Sequence, residues 1–193
     1  MPYTPPPRTE NVRSQILTAG LTVLGAEGLR ELTQTRVAER AGVRQSHLTY
    51  YFPTRHDLLE ALTTLFVNEM SAELGKFIQA DEPFDAQALA RLARGIADDE
   101  HMRIFIGIVV EADGDPKVRE VVVRATRRFE AALAEAIGGE DAALRARVVL
   151  STLWGLALYQ FAMRPAGASA VAALSLESLG KLIGTPSRRR RKA

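Results

Sequence analysis

Val12, Ile16, Gly20, Val23 and Leu24 recur at helical spacing with charged residues between them, which predicts a first helix closed by Gly28. Thr33 opens a short second helix that buries Val37, Ala38 and Ala41, and Gly42 ends it. The third, from about Gln45 to Phe52, is polar almost throughout. Thr54 with Asp57 three residues on reads as a variant capping box. The long fourth helix that follows has Leu58, Leu62, Leu65, Phe66, Met70, Leu74 and Phe77 on one face, up to the "DEP" at 81–83. A fifth helix starts near Asp85, and a sixth covers roughly 101–112 around "IFIGIVV". Asp115 before Pro116 is an N-cap with proline at the first helical position, starting a seventh helix that Gly138-Gly139 closes. An eighth, about 141–163, contains Trp154, and a ninth spans about 169–183. No period-two pattern persists, so the expected class is all-α with about nine helices.

The second and third helices are the unusual pair. Two short helices joined by a glycine turn, the second of them polar, describe a helix-turn-helix. Val37, Ala38, Ala41, Val43 and Leu48 can pack on the first helix, and Gly42 adopts the left-handed turn without a Cβ penalty. Gln45, Ser46, His47, Thr49 and Tyr50 are then left for a DNA groove. Glutamine pairs with an adenine edge, the hydroxyls and imidazole donate or accept, and the Thr49 methyl can meet a thymine methyl. Tyr51 and Arg55 suit phosphate, which fixes register without reading sequence. The start of the fourth helix at Thr54 offers backbone N–H groups to an anion. Arg8 and Asn11 can reach phosphate or the minor groove from an N-terminal arm. A solvated helical hairpin is the plain alternative for a bare glycine turn.

Residues 16–59, "ILTAGLTVLGAEGLRELTQTRVAERAGVRQSHLTYYFPTRHDLL", resemble the TetR family of transcriptional repressors. The elements that carry the resemblance are Gly28, Thr33, Val37-Ala38, Ala41-Gly42-Val43, Leu48, Tyr51-Phe52 and the basic Arg55 ahead of Leu58-Leu59. The resemblance implies a homodimer with a three-helix DNA-binding head, a linking fourth helix, a ligand-binding core and a dimer interface from the last two helices. Thr33, Arg36 and Arg44 complete the expected DNA-facing set. Arg44 stands where the family commonly has Ser, which removes an N-cap and adds a cation, and Thr49 stands where it commonly has Tyr. The expected division is an arm (1–8), a helix-turn-helix domain (9–55), a ligand-binding and dimerisation domain (56–186) and a basic tail (187–193).

Charge sharpens this picture. Residues 1–56 carry seven Lys/Arg against four Asp/Glu, the tail 188–193 carries five basic residues and no acid, and the stretch between them is net acidic. A basic head and tail on an acidic body suit a polyanion contacted at the head. With 47% apolar residues the chain can also bury a core beyond what a DNA head needs. Phe66, Met70, Met102, Phe105, Ile106, Val109, Phe129, Trp154 and Tyr159 are candidates to line a ligand pocket, each with plain core packing as the alternative. His101, Arg103, Glu111 and Gln160 are the polar residues that can orient a ligand there. Leu150, Trp154, Ala157 and Phe161 form one helical stripe, and with Val171 and Leu174 they are the expected dimer interface.

Cysteine is absent, which fits a reducing, cytoplasmic setting, and the first residues lack the apolar core of a secretory signal. The charge-free run from Val148 to Met163 is shorter than the roughly 20 residues a membrane span needs. "EADGDP" at 111–116 lacks the sixth-position glycine and the twelfth-position glutamate of a calcium loop, and Asp98 with His101 has no third metal ligand. No phosphate-binding glycine loop, nucleophile elbow or His-Glu-x-x-His occurs. The expected function is therefore non-catalytic and without cofactor or metal: a DNA-binding regulator, expected as a repressor, that meets a near-palindromic operator and a small-molecule effector. A helical small-molecule carrier or enzyme, and a nonspecific architectural DNA binder, are the competing readings.

Overall fold

The computed structural model describes residues 8–76, 84–96 and 98–163. These residues form eight α-helices and one turn of 3-10 helix, and no strand occurs among them. The helices are α1 (Arg8–Ala26), α2 (Gln34–Ala41), α3 (Gln45–Tyr51), α4 (Arg55–Gly75), α5 (Ala86–Ile96), α6 (Asp99–Gly114), α7 (Pro116–Ile137) and α8 (Ala142–Ala162). The expected ninth helix, and with it Val171 and Leu174, lies outside the described residues, as do Phe77 and the "DEP" at 81–83.

Helix starts follow the short polar residues that the sequence places there. Thr33 Oγ1 accepts from the Arg36 amide, Asp85 from Gln87 and Ala88, Asp98 from Glu100 and His101, and Asp115 from Lys117 and Val118. Each cap satisfies N–H groups that the first turn would otherwise leave without a partner. Asp98 and Asp115 are thus cap residues, which accounts for the two acidic stretches weighed as metal loops. The 3-10 turn Leu29–Glu31 after Gly28 had no distinct signal in the periodicity.

The chain packs as two compact units. The first holds residues up to Glu69 together with Arg103–Arg124, and the second holds Met70–Met102 with the residues from Ala125 on. The compact unit that contains α1 to α3 also holds most of α4, most of α6 and the start of α7.

In the first unit the core is Ile16, Leu17, Val23, Leu24, Leu32, Val37, Leu48, Phe52, Leu58, Leu59, Leu62 and Ile108. Each fully buried aliphatic side chain contributes about 1.5–3 kcal/mol. Two glycines set how closely helices approach: a Cβ on Gly20 would lie 2.7 Å from Leu62 Cδ2, and one on Gly107 would lie 2.9 Å from Leu24 Cδ1. A methyl at either position would have to push the tip of a leucine side chain aside, where α1 meets α4 and where it meets α6. In the second unit α5 packs on α8, with Leu89, Leu92 and Ile96 buried on α5 and Ala146, Val149, Leu150, Leu153 and Ala157 buried on α8.

Candidate nucleic-acid interface

The turn between α2 and α3 is built by Gly42, at φ 65°. The Val43 amide donates to Ala38 O at 3.0 Å and the Gly42 amide to Glu39 O at 3.1 Å. This paired closure satisfies the last carbonyls of α2 and requires a left-handed residue at its centre. Two glutamines then lock the motif. Gln15 Nε2 donates to Ala41 O at 2.8 Å, tying α1 to the end of α2, and Gln34 Nε2 donates to Phe52 O at 2.7 Å, tying the start of α2 to the end of α3. Neither was singled out in the sequence, because a lone glutamine on a polar face has no pattern that marks its partner.

α3 is seated by Leu48, fully buried, and by the buried Phe52 just beyond it. The Arg13 guanidinium lies 5.5 Å from the centre of the Phe52 ring, over its face. On the other side Arg44, Gln45, Ser46, His47 and Tyr50 are exposed, and Thr49 and Tyr51 are half-buried. Tyr50 is 78% exposed, and its ring is propped edge-on by Tyr51 with centroids 5.2 Å apart. Thr49 Oγ1 donates back to Ser46 O at 3.2 Å. The helix begins at Arg44 with no side-chain cap, so its first amides remain open.

The flanking predicted residues are less free. Thr33 is the cap of α2. Arg36 pairs with Glu27 at 2.9 Å, and that hydrogen bond and charge raise its pKa above the ordinary arginine value. Arg55 Nη2 lies 2.7 Å from Glu111 Oε1, and Arg55 Nε donates to Leu32 O at 3.3 Å. The start of α4 carries its own capping box, which takes up the Thr54 and Asp57 amides. The Thr54 amide and hydroxyl both donate to Asp57 Oδ2, and the Asp57 amide donates to Thr54 Oγ1. The chain's own carboxylate fills that position, and the bonds from Thr54 lower its pKa. The side chains of Arg8 and Asn11 lie outside the described residues.

The pocket and interface candidates are distributed over both units. Phe66, Phe105, Ile106 and Val109 belong to the first unit, and Met70, Met102, Phe129, Trp154 and Tyr159 to the second. Phe66, Met70 and Met102 are buried, Phe105, Ile106, Phe129 and Trp154 half-buried, and Val109 and Tyr159 exposed. Of the polar candidates, Glu111 is held by Arg55, and Arg103 bonds the Gly25 and Ala26 carbonyls at the end of α1. His101 lies near Asp98 on the surface, and Gln160 is half-buried. Thr63 on α4 was not singled out: it is fully buried, and its hydroxyl has no hydrogen-bond partner among the described residues. Leu150 and Ala157, placed in the interface stripe, are buried within the protomer itself. α8 instead exposes Leu144, Val148, Leu158 and Tyr159, with Ser151 and Gly155 on the same face, because its inward face turns to α5.

The sequence model for the tetR family of bacterial regulatory proteins matches residues 16–62, the segment that forms this geometry. The HTH-type transcriptional regulator CymR of Pseudomonas putida is 29% identical over 125 residues, covering 63% of this chain and 61% of that protein. This chain thus aligns with about three-fifths of that relative's length. Among solved structures, SCO7518 of Streptomyces coelicolor A3(2), assigned as a transcriptional regulator, superposes with a TM-score of 0.73 at 25% identity, over 91% of this chain and 99% of its own. A transcriptional regulator from Rhodococcus shares the fold at 21% identity, with a TM-score of 0.74 over 89% of this chain and 93% of its own.

Proposed function

We propose, from the TetR-family head that residues 16–62 form, that this chain is a cytoplasmic, homodimeric repressor of transcription that an effector releases from its operator. The observation that carries the reading is the two-sided character of α3. Leu48 is sealed into the head, while Arg44, Gln45, Ser46, His47 and Tyr50 stand exposed on a turn locked by Gly42 and two glutamine bonds. A rigid polar helix on an apolar base suits insertion into the major groove. In this reading Gln45, Ser46, His47 and Thr49 read base edges. Arg44, Tyr50, Tyr51, Thr33, Arg36 and Arg55 meet phosphate.

Dimerisation through α8 follows from its exposed face. Leu144, Val148, Leu158 and Tyr159 form an apolar stripe, and Ser151 and Gly155 allow a second helix to approach closely. In this reading α8 meets a second copy through this stripe rather than through Leu150 and Ala157, which the protomer buries. Support for an effector comes from Thr63 on α4, a buried hydroxyl without a hydrogen-bond partner among the described residues. A ligand able to hydrogen-bond there would recover the cost of burying it. That ligand would act only by binding the two states of the head unequally.

The decisive experiment is selection of bound duplexes from a random library by the intact protein. The expected product is a near-palindrome with half-sites about one helical turn apart. Recovery of no preferred sequence would overturn the reading in favour of a nonspecific binder or a helical carrier. No helix among the described residues is long and apolar enough to cross a membrane.

A further inference from the structure

Arg55 opens α4, four positions after the end of α3, the proposed recognition helix. Its guanidinium is anchored on one side by Leu32 O, the carbonyl just before the Thr33 cap of α2. On the other it is held by Glu111 Oε1, from the last turns of α6, at 2.7 Å. The side chains of Arg55 and Glu111 are 43% and 24% exposed, and both line an open cleft with His56, Leu59, Val110, Gly114 and Asp115. Water and ions therefore reach the pair, and it can separate without unfolding anything.

We infer that Glu111 competes with DNA phosphate for Arg55, so that the head carries its own anion at a phosphate-binding position and its affinity is set below what its basic residues would give. This rests on the DNA-binding reading above. A guanidinium directs its N–H groups as a planar fork, and a carboxylate and a phosphate seek the same fork in the same plane. The Nη2 N–H that faces Glu111 and the Nε–H on Leu32 O are both taken, so a phosphate meets only the remaining N–H groups of a cation whose charge Glu111 already offsets. Glu111 is a positioning residue in this scheme, because it acts through Arg55 and touches no DNA itself. The neighbouring pairs His56–Asp115 at 2.6 Å and Lys117–Glu60 at 3.6 Å hold the same turn of α6–α7 against α4, so Glu111 stays in reach of Arg55.

The test is equilibrium binding of the full chain to a random-sequence duplex of about 30 bp, long enough for both heads of a dimer, since a phosphate contact needs no operator. Glu111→Gln keeps the size and a hydrogen-bonding amide but removes the charge. Asp113→Asn is the control. Asp113 is a fully exposed acid two residues along, paired only loosely with Arg119 at 3.5 Å, so its removal changes net charge equally without touching Arg55. Glu111→Gln should tighten binding by about two- to fivefold, the scale of a partly exposed ion pair, and Asp113→Asn by clearly less. In an Arg55→Gln background the Glu111→Gln gain should vanish. Equal effects of the two neutralisations, or a gain that survives loss of Arg55, would overturn the inference while leaving DNA binding intact. Absence of duplex binding by the unaltered chain at low salt would instead remove the reading on which it rests. Circular dichroism melts show that each variant compared is folded, and Glu111→Ala replaces Glu111→Gln should the latter fail that check.

Discussion

Leu48 and Tyr50 stand two positions apart on α3, one fully buried and the other 78% exposed. The sequence marks both, because an apolar residue in an otherwise polar helix can only be its anchor. They should separate stability from binding. Leu48→Ala is expected to cost about 2–5 kcal/mol in urea unfolding, as other buried leucines do. Tyr50→Ala should leave the unfolding midpoint within error yet weaken DNA binding. Thr63 was illegible, since a threonine on a helix reads the same whether its hydroxyl is bonded or orphaned. Thr63→Val should raise stability by about 1 kcal/mol without ligand, because it deletes a buried hydroxyl that has no partner among the described residues. Lower stability would show that the hydroxyl is satisfied. The Asp57 carboxylate gives a third handle. Its pKa in the folded protein is lowered by the bonds from Thr54, so its contribution is present above the unfolded value of about 3.9 and is lost as pH falls through the folded value. Thr54→Val removes the hydroxyl's bond, the larger of the two, and leaves the amide's, so the stability gap between it and the native chain should be widest near neutral pH. Below about pH 4 the gap should narrow, a trend that urea titrations at a series of pH values would reveal.

At the scale of the element, helix starts were legible and helix relations were not. Thr33, Thr54, Asp85, Asp98 and Asp115 are short polar residues whose side chains can reach back to amides two or three positions on, and four of the five were read as starts. The 3-10 turn after Gly28 and the glutamine bonds to Ala41 O and Phe52 O depend on which helices meet, which periodicity does not carry. The same contrast divides the glycines. Gly42 has open space around its Cα and is needed for its backbone angle alone, whereas Gly20 faces the side chain of Leu62. Gly42→Asn should therefore be milder than Gly42→Ala, which should cost about 1–2 kcal/mol from left-handed strain. Gly20→Ala should cost about 1–3 kcal/mol from overpacking, and trimming Leu62 to Val should recover part of it. Thermal melts of the four variants rank them directly. If Gly20→Ala proved harmless, α1 and α4 would be less tightly set than this geometry requires.

At the scale of the molecule, the stripe expected at the interface, Leu150, Trp154, Ala157 and Phe161, includes two residues, Leu150 and Ala157, that the protomer itself buries. α8 is apolar on more than one side, so its pattern alone does not show which face the chain covers itself. Leu150 and Ala157 are buried within the protomer, while Leu144, Val148, Leu158 and Tyr159 stand exposed. An apolar stripe of this kind on a helix is costly to leave bare, and a second copy meeting it across a two-fold axis would bury it twice over. Leu144→Arg with Leu158→Arg would set like charges against each other across that axis without entering the protomer's core. Sedimentation equilibrium should then report a monomer whose circular dichroism keeps the native helix content. Trp154, the single tryptophan and half-buried on the same helix, should report the change by a shift in emission. Because two half-sites bound by one dimer gain from effective concentration, the monomer should lose orders of magnitude in operator affinity with its recognition helix untouched. A double variant that stays dimeric would move the interface off this face of α8. One that becomes monomeric yet binds a full operator unchanged would break the link between pairing and recognition.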